Sequence, residues 1–196
     1  MIGRAAAVPE YLLAGLPVYC LIGVSKLEAE ISLKKLAEET GMEFVIIRPP
    51  LVYGPKVKAN FLSMMKWLNK SLVLPFGAIR NHRSMVGLDN LVDLIITCID
   101  HPKAANQTFL VSDGEDLSTA ALLKRIANAM RCRARLFYIP DSLLKFGLIA
   151  LNKPEIYQRL CGSLQLDPTK TQRRLNWVPP ISVDEGLWRT AGPFRR

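Results

Sequence analysis

At 196 residues the chain is long enough to bury one ordinary hydrophobic core. Hydrophobic residues at 49% against charged residues at 22% exclude a disordered polyelectrolyte. Lys and Arg number 26 and Asp and Glu 17, a formal net charge of +9 that favours anionic partners. The basic residues are spread out, apart from Arg131, Arg133 and Arg135 and the pair Arg173 and Arg174, and nothing pairs aromatic with basic residues as an RNA platform does. Nucleic acid is therefore not an expected partner. Cys20, Cys98, Cys132 and Cys161 lie far apart and only His82 and His101 could add imidazole, so no metal site and no disulfide framework is expected. A reducing, cytoplasmic setting follows as the expectation.

Tyr11 to Val24 is an apolar run of 14 residues that contains Pro17. A bilayer needs about 20, and no A-x-A-like cleavage site follows the run, so neither a membrane span nor a secretory leader is expected. Ser25-Lys-Leu-Glu28 has capping-box spacing and opens a predicted helix with Leu27, Ile31, Leu36 and Ala37 as its stripe and Gly41 as its stop. Glu43 to Arg48 is a short β-branched run that reads as a strand buried on both faces. Pro49, Pro50, Gly54 and Pro55 then predict a loop. Helices are predicted over 59–68, from a cap at Asp89 or Asn90 through Ile99, from Ser118 to about Met130, over 141–152 and over 167–176. Strands are predicted at 108–111 and 135–139. Short buried strands alternating with helices argue for an α/β fold with a parallel sheet.

Several stretches in order carry a resemblance: Ser25-Lys-Leu-Glu-Ala-Glu30, Val45-Ile-Ile-Arg-Pro-Pro-Leu-Val-Tyr-Gly-Pro55, Asn60-Phe61, Arg83 through Asp93, Phe109 through Gly114, and Asp167-Pro-Thr-Lys170 followed by Leu175 through Pro179. Over residues 23–191 the chain resembles the extended short-chain dehydrogenase/reductases, in their NAD-dependent nucleotide-sugar epimerase/dehydratase branch, and most of all the UDP-glucose 4-epimerase-like members of polysaccharide and O-antigen pathways. The resemblance implies the last strands and helices of a Rossmann-type parallel sheet plus a small α/β substrate-binding subdomain. The expected division is an atypical segment over 1–22, a Rossmann-like part over 23–112 with an interleaved substrate-loop helix, and a substrate-binding subdomain over 113–196.

The family carries a Tyr-x-x-x-Lys pair, whose spacing puts both side chains on one helix face. By resemblance Lys26 is the lysine that holds the nicotinamide ribose of NAD, and Ile22 stands at the tyrosine position. Isoleucine has no ionisable proton, and Tyr19 lies seven residues before Lys26. Pro49 matches a position whose backbone touches the nicotinamide end. On the substrate side the resemblance assigns Asn60 and Phe61 to the helix that meets the nucleotide diphosphate, Phe76 to packing near the uracil, and Arg83 to the diphosphate, a task suited to a guanidinium fork. Leu51 stands where the better-known epimerases have asparagine.

A dinucleotide cradle of this kind needs closely spaced glycines at a helix amino terminus. The closest two glycines, Gly186 and Gly192, are six apart, so neither G-x-G-x-x-G nor G-x-x-G-x-x-G is present. The expectation is a carboxyl-terminal half, with residues 1–22 unrelated to the family through a frameshift or a truncated reading frame. Two readings stay open: an NAD-dependent enzyme acting on a UDP-sugar, impaired as it stands, and a non-catalytic remnant that binds a nucleotide or a protein. With the first half of the sheet lacking, the 44–47 strand would offer an unpaired edge, so self-association is expected.

Overall fold

The computed structural model describes residues 18–150, 157 and 160–195. Residues 1–17 of the expected atypical segment lie outside the described residues, as do the side chains of Tyr19 and Ile22. In chain order the elements are α1 (Val18–Thr40), β1 (Val45–Arg48), β2 (Leu51–Tyr53), α2 (Ala59–Asn69), β3 (Val73–Leu74), β4 (Met85–Gly87), α3 (Leu88–Asp100) and β5 (Gln107–Leu110). They continue with α4 (Thr119–Ala129), β6 (Arg135–Leu136), α5 (Asp141–Ala150), α6 (Thr169–Leu175) and α7 (Val183–Thr190), and end in a 3-10 turn over Gly192–Phe194.

The strands pair in parallel, as the α/β alternation predicts, because each crossover is long enough to hold a helix. Three short two-stranded sheets take the place of one wide sheet: β1 with β5, β2 with β4, and β3 with β6. Val45 lies opposite Gln107 and Arg48 opposite Leu110. One core gathers Tyr53, Phe61, Met65, Leu68, Leu123 and Leu187, from β2, α2, α4 and α7. A second gathers Val86, Leu94, Phe109, Val111, Leu175 and Trp177. Both draw residues from either side of position 113.

Three local expectations need correction. Ser25 does not cap a helix, because α1 runs unbroken from Val18. Gly23 costs such a helix only about 1 kcal/mol, too little to break the apolar segment around it. The stop at Gly41 stands as expected: its φ is +74° and its N–H donates to Ala37 O at 2.9 Å. Asp89 and Asn90 do not cap α3 either, since the cap position is Gly87 and both lie in the first turn. The carboxylate at that helix start comes from Asp113, which accepts from Gly87 N–H at 3.0 Å. Finally, the segment expected as loop between Pro49 and Pro55 contains β2, which reaches across to β4. Ser118 does cap α4, accepting from Ala121 N–H at 3.1 Å.

β1 pairs with β5 along one edge, and among the described residues no strand pairs with the other. Beside it α3 exposes Val92, Ile95, Ile96 and Ile99, the last at 75%. A free strand edge next to an apolar helix face is a surface for association. The average mass from light scattering is expected to rise with concentration, and Ile96→Glu combined with Ile99→Glu to suppress that rise. Both positions are exposed enough that the melting temperature should barely move.

Candidate functional site

α1 crosses the end of β1 and leaves an open groove of about 750 Å³ between them. One wall is helical, with Gly23, Lys26 and Glu30; the other is Ile47, Arg48 and Pro49 at the strand's end. Lys26 and Pro49, singled out separately in the sequence, thus face one space. Lys26 is exposed and Ile22 lies one turn before it on the same helix. A groove of about 620 Å³ on the α3 side of β1 is lined by apolar Phe44, Val45, Ile95 and Ile99. It lacks a comparable cationic group, so the first groove is the better place for an anion-bearing ligand.

Glu30 and Arg48 close that groove with a two-pronged ion pair. Arg48 Nε donates to Glu30 Oε1 at 2.9 Å and Arg48 Nη2 donates to Glu30 Oε2. The hydrogen bond to Arg48 holds the Glu30 carboxyl below its usual range, and the same contact raises the Arg48 guanidinium. Both residues stand in the stretches that carry the resemblance, Glu30 closing the first and Arg48 lying within the second, where neither has an assigned role. Their signal was the four-residue step from Lys26 to Glu30, which puts the two on one helix face.

The substrate-side residues fall elsewhere. Asn60 is exposed in the first turn of α2. Phe61 is 1% exposed and stacks on Tyr53 with ring centroids 5.7 Å apart. Its ring is core, which leaves only the α2 backbone at that position to meet a ligand. Phe76 is buried as well and lies tilted against Trp67 at 6.3 Å. Leu51 packs half-buried against the same core. Helix periodicity brings Phe61 inward, Phe76 turns inward just past β3, and a sequence pattern cannot tell a core ring from one that stacks on a base.

Arg83 sits at a crossing of three segments. Its N–H donates to Leu117 O at 3.1 Å and its own carbonyl accepts from Leu117 N–H at 3.0 Å. Ser84 N–H donates to Leu164 O at 2.8 Å and Leu164 N–H to His82 O at 2.9 Å. The backbone is held from both sides while the side chain is half-buried. Burial pulls the guanidinium below its usual range, and Cys161 acts in the opposite sense.

Tyr53 could be mistaken for the tyrosine that position 22 lacks. It is 1% exposed, its hydroxyl donates to Asp113 Oδ2 at 2.6 Å, and burial together with that carboxylate pushes its pKa far above the ordinary tyrosine range. A phenol held neutral in the core cannot exchange protons with a bound sugar. Among the described residues no group of three or more His, Cys, Asp or Glu could hold a metal ion, and no helix is long and apolar enough to cross a membrane.

The chain is 50% identical over 173 residues to a UDP-glucose 4-epimerase of Vibrio cholerae, a match that takes in 88% of this chain and 53% of that protein. Among solved structures it superposes on a UDP-glucose 4-epimerase of Thermotoga maritima crystallised with UDP-glucose, with a TM-score of 0.66, 22% identity, and coverage of 86% of this chain and 51% of the other. A UDP-glucuronic acid 4-epimerase of Bacillus cereus in complex with NAD gives a TM-score of 0.65 at 17% identity, covering 86% and 49%. At those identities the two superpositions speak for the fold, which is Rossmann-type. The chain spans about half the length of the curated relatives it matches. Residues 22–112 match the model of the NAD-dependent epimerase/dehydratase family, and the fold and the Vibrio relative agree with that match.

Proposed function

We propose that the chain is built for nucleotide-sugar epimerase or dehydratase chemistry, with a UDP-sugar as the substrate class, and that it lacks the means to complete that chemistry on its own. The observation that carries this reading is the meeting of Lys26 and Pro49 in one groove, since these are the positions assigned to the nicotinamide end of NAD. In this reading residues 23–112 serve the cofactor and 113–196 the sugar nucleotide. The donor set fits NAD in part: a lysine ammonium and an open wall suit the nicotinamide ribose, while no closely spaced glycines offer a pyrophosphate cradle. NAD, when bound, supplies the hydride acceptor. Lys26 would hold the ribose hydroxyls, and Pro49 would present its backbone to the nicotinamide end. The proton would have to be exchanged at position 22, where isoleucine has none to give.

That last point favours a second reading, a nucleotide-binding protein without turnover. Binding and turnover measurements test what the two readings share. Calorimetry with NAD is expected to give only millimolar affinity, because one charged hydrogen bond from Lys26 contributes about 1.5–3 kcal/mol and millimolar binding corresponds to about 4 kcal/mol. A low micromolar dissociation constant would overturn this estimate. UDP-glucose and UDP-galactose are expected to remain unconverted in the presence of NAD, both by the chain as it stands and by the Ile22→Tyr variant. The substitution returns a proton-transfer group without the cradle that holds the hydride acceptor. Turnover by the unaltered chain would refute the assignment of position 22.

A further inference from the structure

We propose that Glu30 and Arg48 form a positioning pair for Lys26, fixing the α1 helix over the groove and keeping the lysine ammonium free of a carboxylate partner. The inference rests on the groove being the place where Lys26 meets its ligand. Three observations carry it. First, the pair joins the two walls next to the residues that matter: Glu30 is one helical turn after Lys26, and Arg48 immediately precedes Pro49. A residue before proline is confined to extended backbone, so Arg48 projects from a stiff point.

Second, among the described residues α1 has little else to hold it there. Leu27, Ile31 and Leu36, the apolar stripe read from the sequence, are 54%, 53% and 46% exposed. Glu30, by contrast, has only 17% of its side chain exposed. Third, among the described residues Glu30 is the only acid lining the groove, and on α1 it is the only acid three or four residues from Lys26. Helical neighbours at that spacing pair readily. Here both carboxylate oxygens are taken by the Arg48 fork instead, and among the described residues Lys26 makes no ion pair, standing exposed in the groove. Removing Arg48 would release the carboxylate to turn along the helix and neutralise Lys26.

Competitive acylation of lysines, read by mass spectrometry, tests this without any ligand. In Arg48→Gln, Lys26 is expected to label about twofold more slowly than in the unaltered chain, the size of an i,i+4 ion pair. In the double variant Glu30→Gln with Arg48→Gln the rate should return to the unaltered value or exceed it. A pair that merely ties helix to strand would loosen α1 alike in both variants and give them the same Lys26 rate, which would overturn the proposal. Hydrogen exchange supplies the positioning half: amides of α1 are expected to lose up to about fivefold protection in Glu30→Gln, in Arg48→Gln and in the double variant, the scale of an exposed ion pair. Unchanged exchange would overturn that half. Repeating the labelling with millimolar NAD tests the groove separately. Protection of Lys26 supports the cofactor reading; no protection alongside an intact labelling pattern refutes that reading and leaves the positioning pair standing.

Discussion

Asp113→Ala is expected to lower the unfolding free energy by about 3–5 kcal/mol, the range for breaking a buried charged network. Asp113 lies just past β5 and accepts from three groups on two segments: Tyr53 hydroxyl at 2.6 Å, Asn90 amide at 2.7 Å and Gly87 N–H at 3.0 Å. Asn90 in turn donates to Ile181 O at 2.8 Å and accepts from Ile181 N–H at 2.9 Å. One carboxylate thereby joins β2, the start of α3 and the approach to α7. Tyr53 and Asn90 are both 1% exposed, so water reaches their donors poorly, and each orphaned donor costs about 1–3 kcal/mol. Tyr53 has a weak alternative in Val183 O at 3.5 Å, which holds the total below the plain sum.

Tyr53→Phe should cost less, about 1 kcal/mol, because it removes one donor and leaves Asp113 with two. Gly186→Ala tests the same junction by steric means. A Cβ there would lie 2.8 Å from the Tyr53 hydroxyl oxygen, and that hydroxyl is fixed by Asp113. Urea unfolding of the three variants checks the order, Asp113→Ala being the most destabilised. An Asp113→Ala protein within 1 kcal/mol of the unaltered chain would show that the network contributes little.

This network marks the boundary of what the sequence discloses. Ser118, Gly41 and the apolar periodicity of α2, α4 and α5 act within a few residues of themselves, so the elements they start, stop and bury are legible from local spacing. Asp113 caps α3 from 26 residues away, and no local pattern announces a cap supplied by another segment. The strands β2, β3 and β4 have two or three residues each, too few to show a period, and they exist because a parallel neighbour accepts them. α7 shows the opposite failure. Ser182 accepts from Glu185 N–H at 3.3 Å, a local start signal that the sequence carries just after Pro179 and Pro180. Of the candidate site, the joint position of Lys26 and Pro49 follows from motif order, whereas the inward turn of Phe61 and Phe76 depends on which face the core takes.

Arg83→Ala is expected to weaken UDP binding by about 2–5 kcal/mol, the range for losing one partner of a desolvated charge pair, or roughly 30-fold to several thousandfold. The reasoning begins with where the fold holds this residue. Its backbone, through Leu117 and the neighbouring Leu164 and His82 contacts, secures the crossing of three segments, and an alanine keeps all of those bonds. The guanidinium is the part that changes. It is half-buried, and burial works against its charge, so an anionic diphosphate meeting it regains electrostatic stabilisation that water supplies only in part. Arg83→Lys keeps the charge but not the planar fork and should recover part of the affinity. Thermal unfolding of Arg83→Ala, in which the backbone bridges survive, is the control that separates a lost ligand contact from a lost fold. Calorimetry with UDP, run on all three proteins, decides the matter. UDP affinity that is absent in the unaltered chain, or the same in Arg83→Ala, would remove Arg83 from the binding site and with it the substrate-side half of the proposed function.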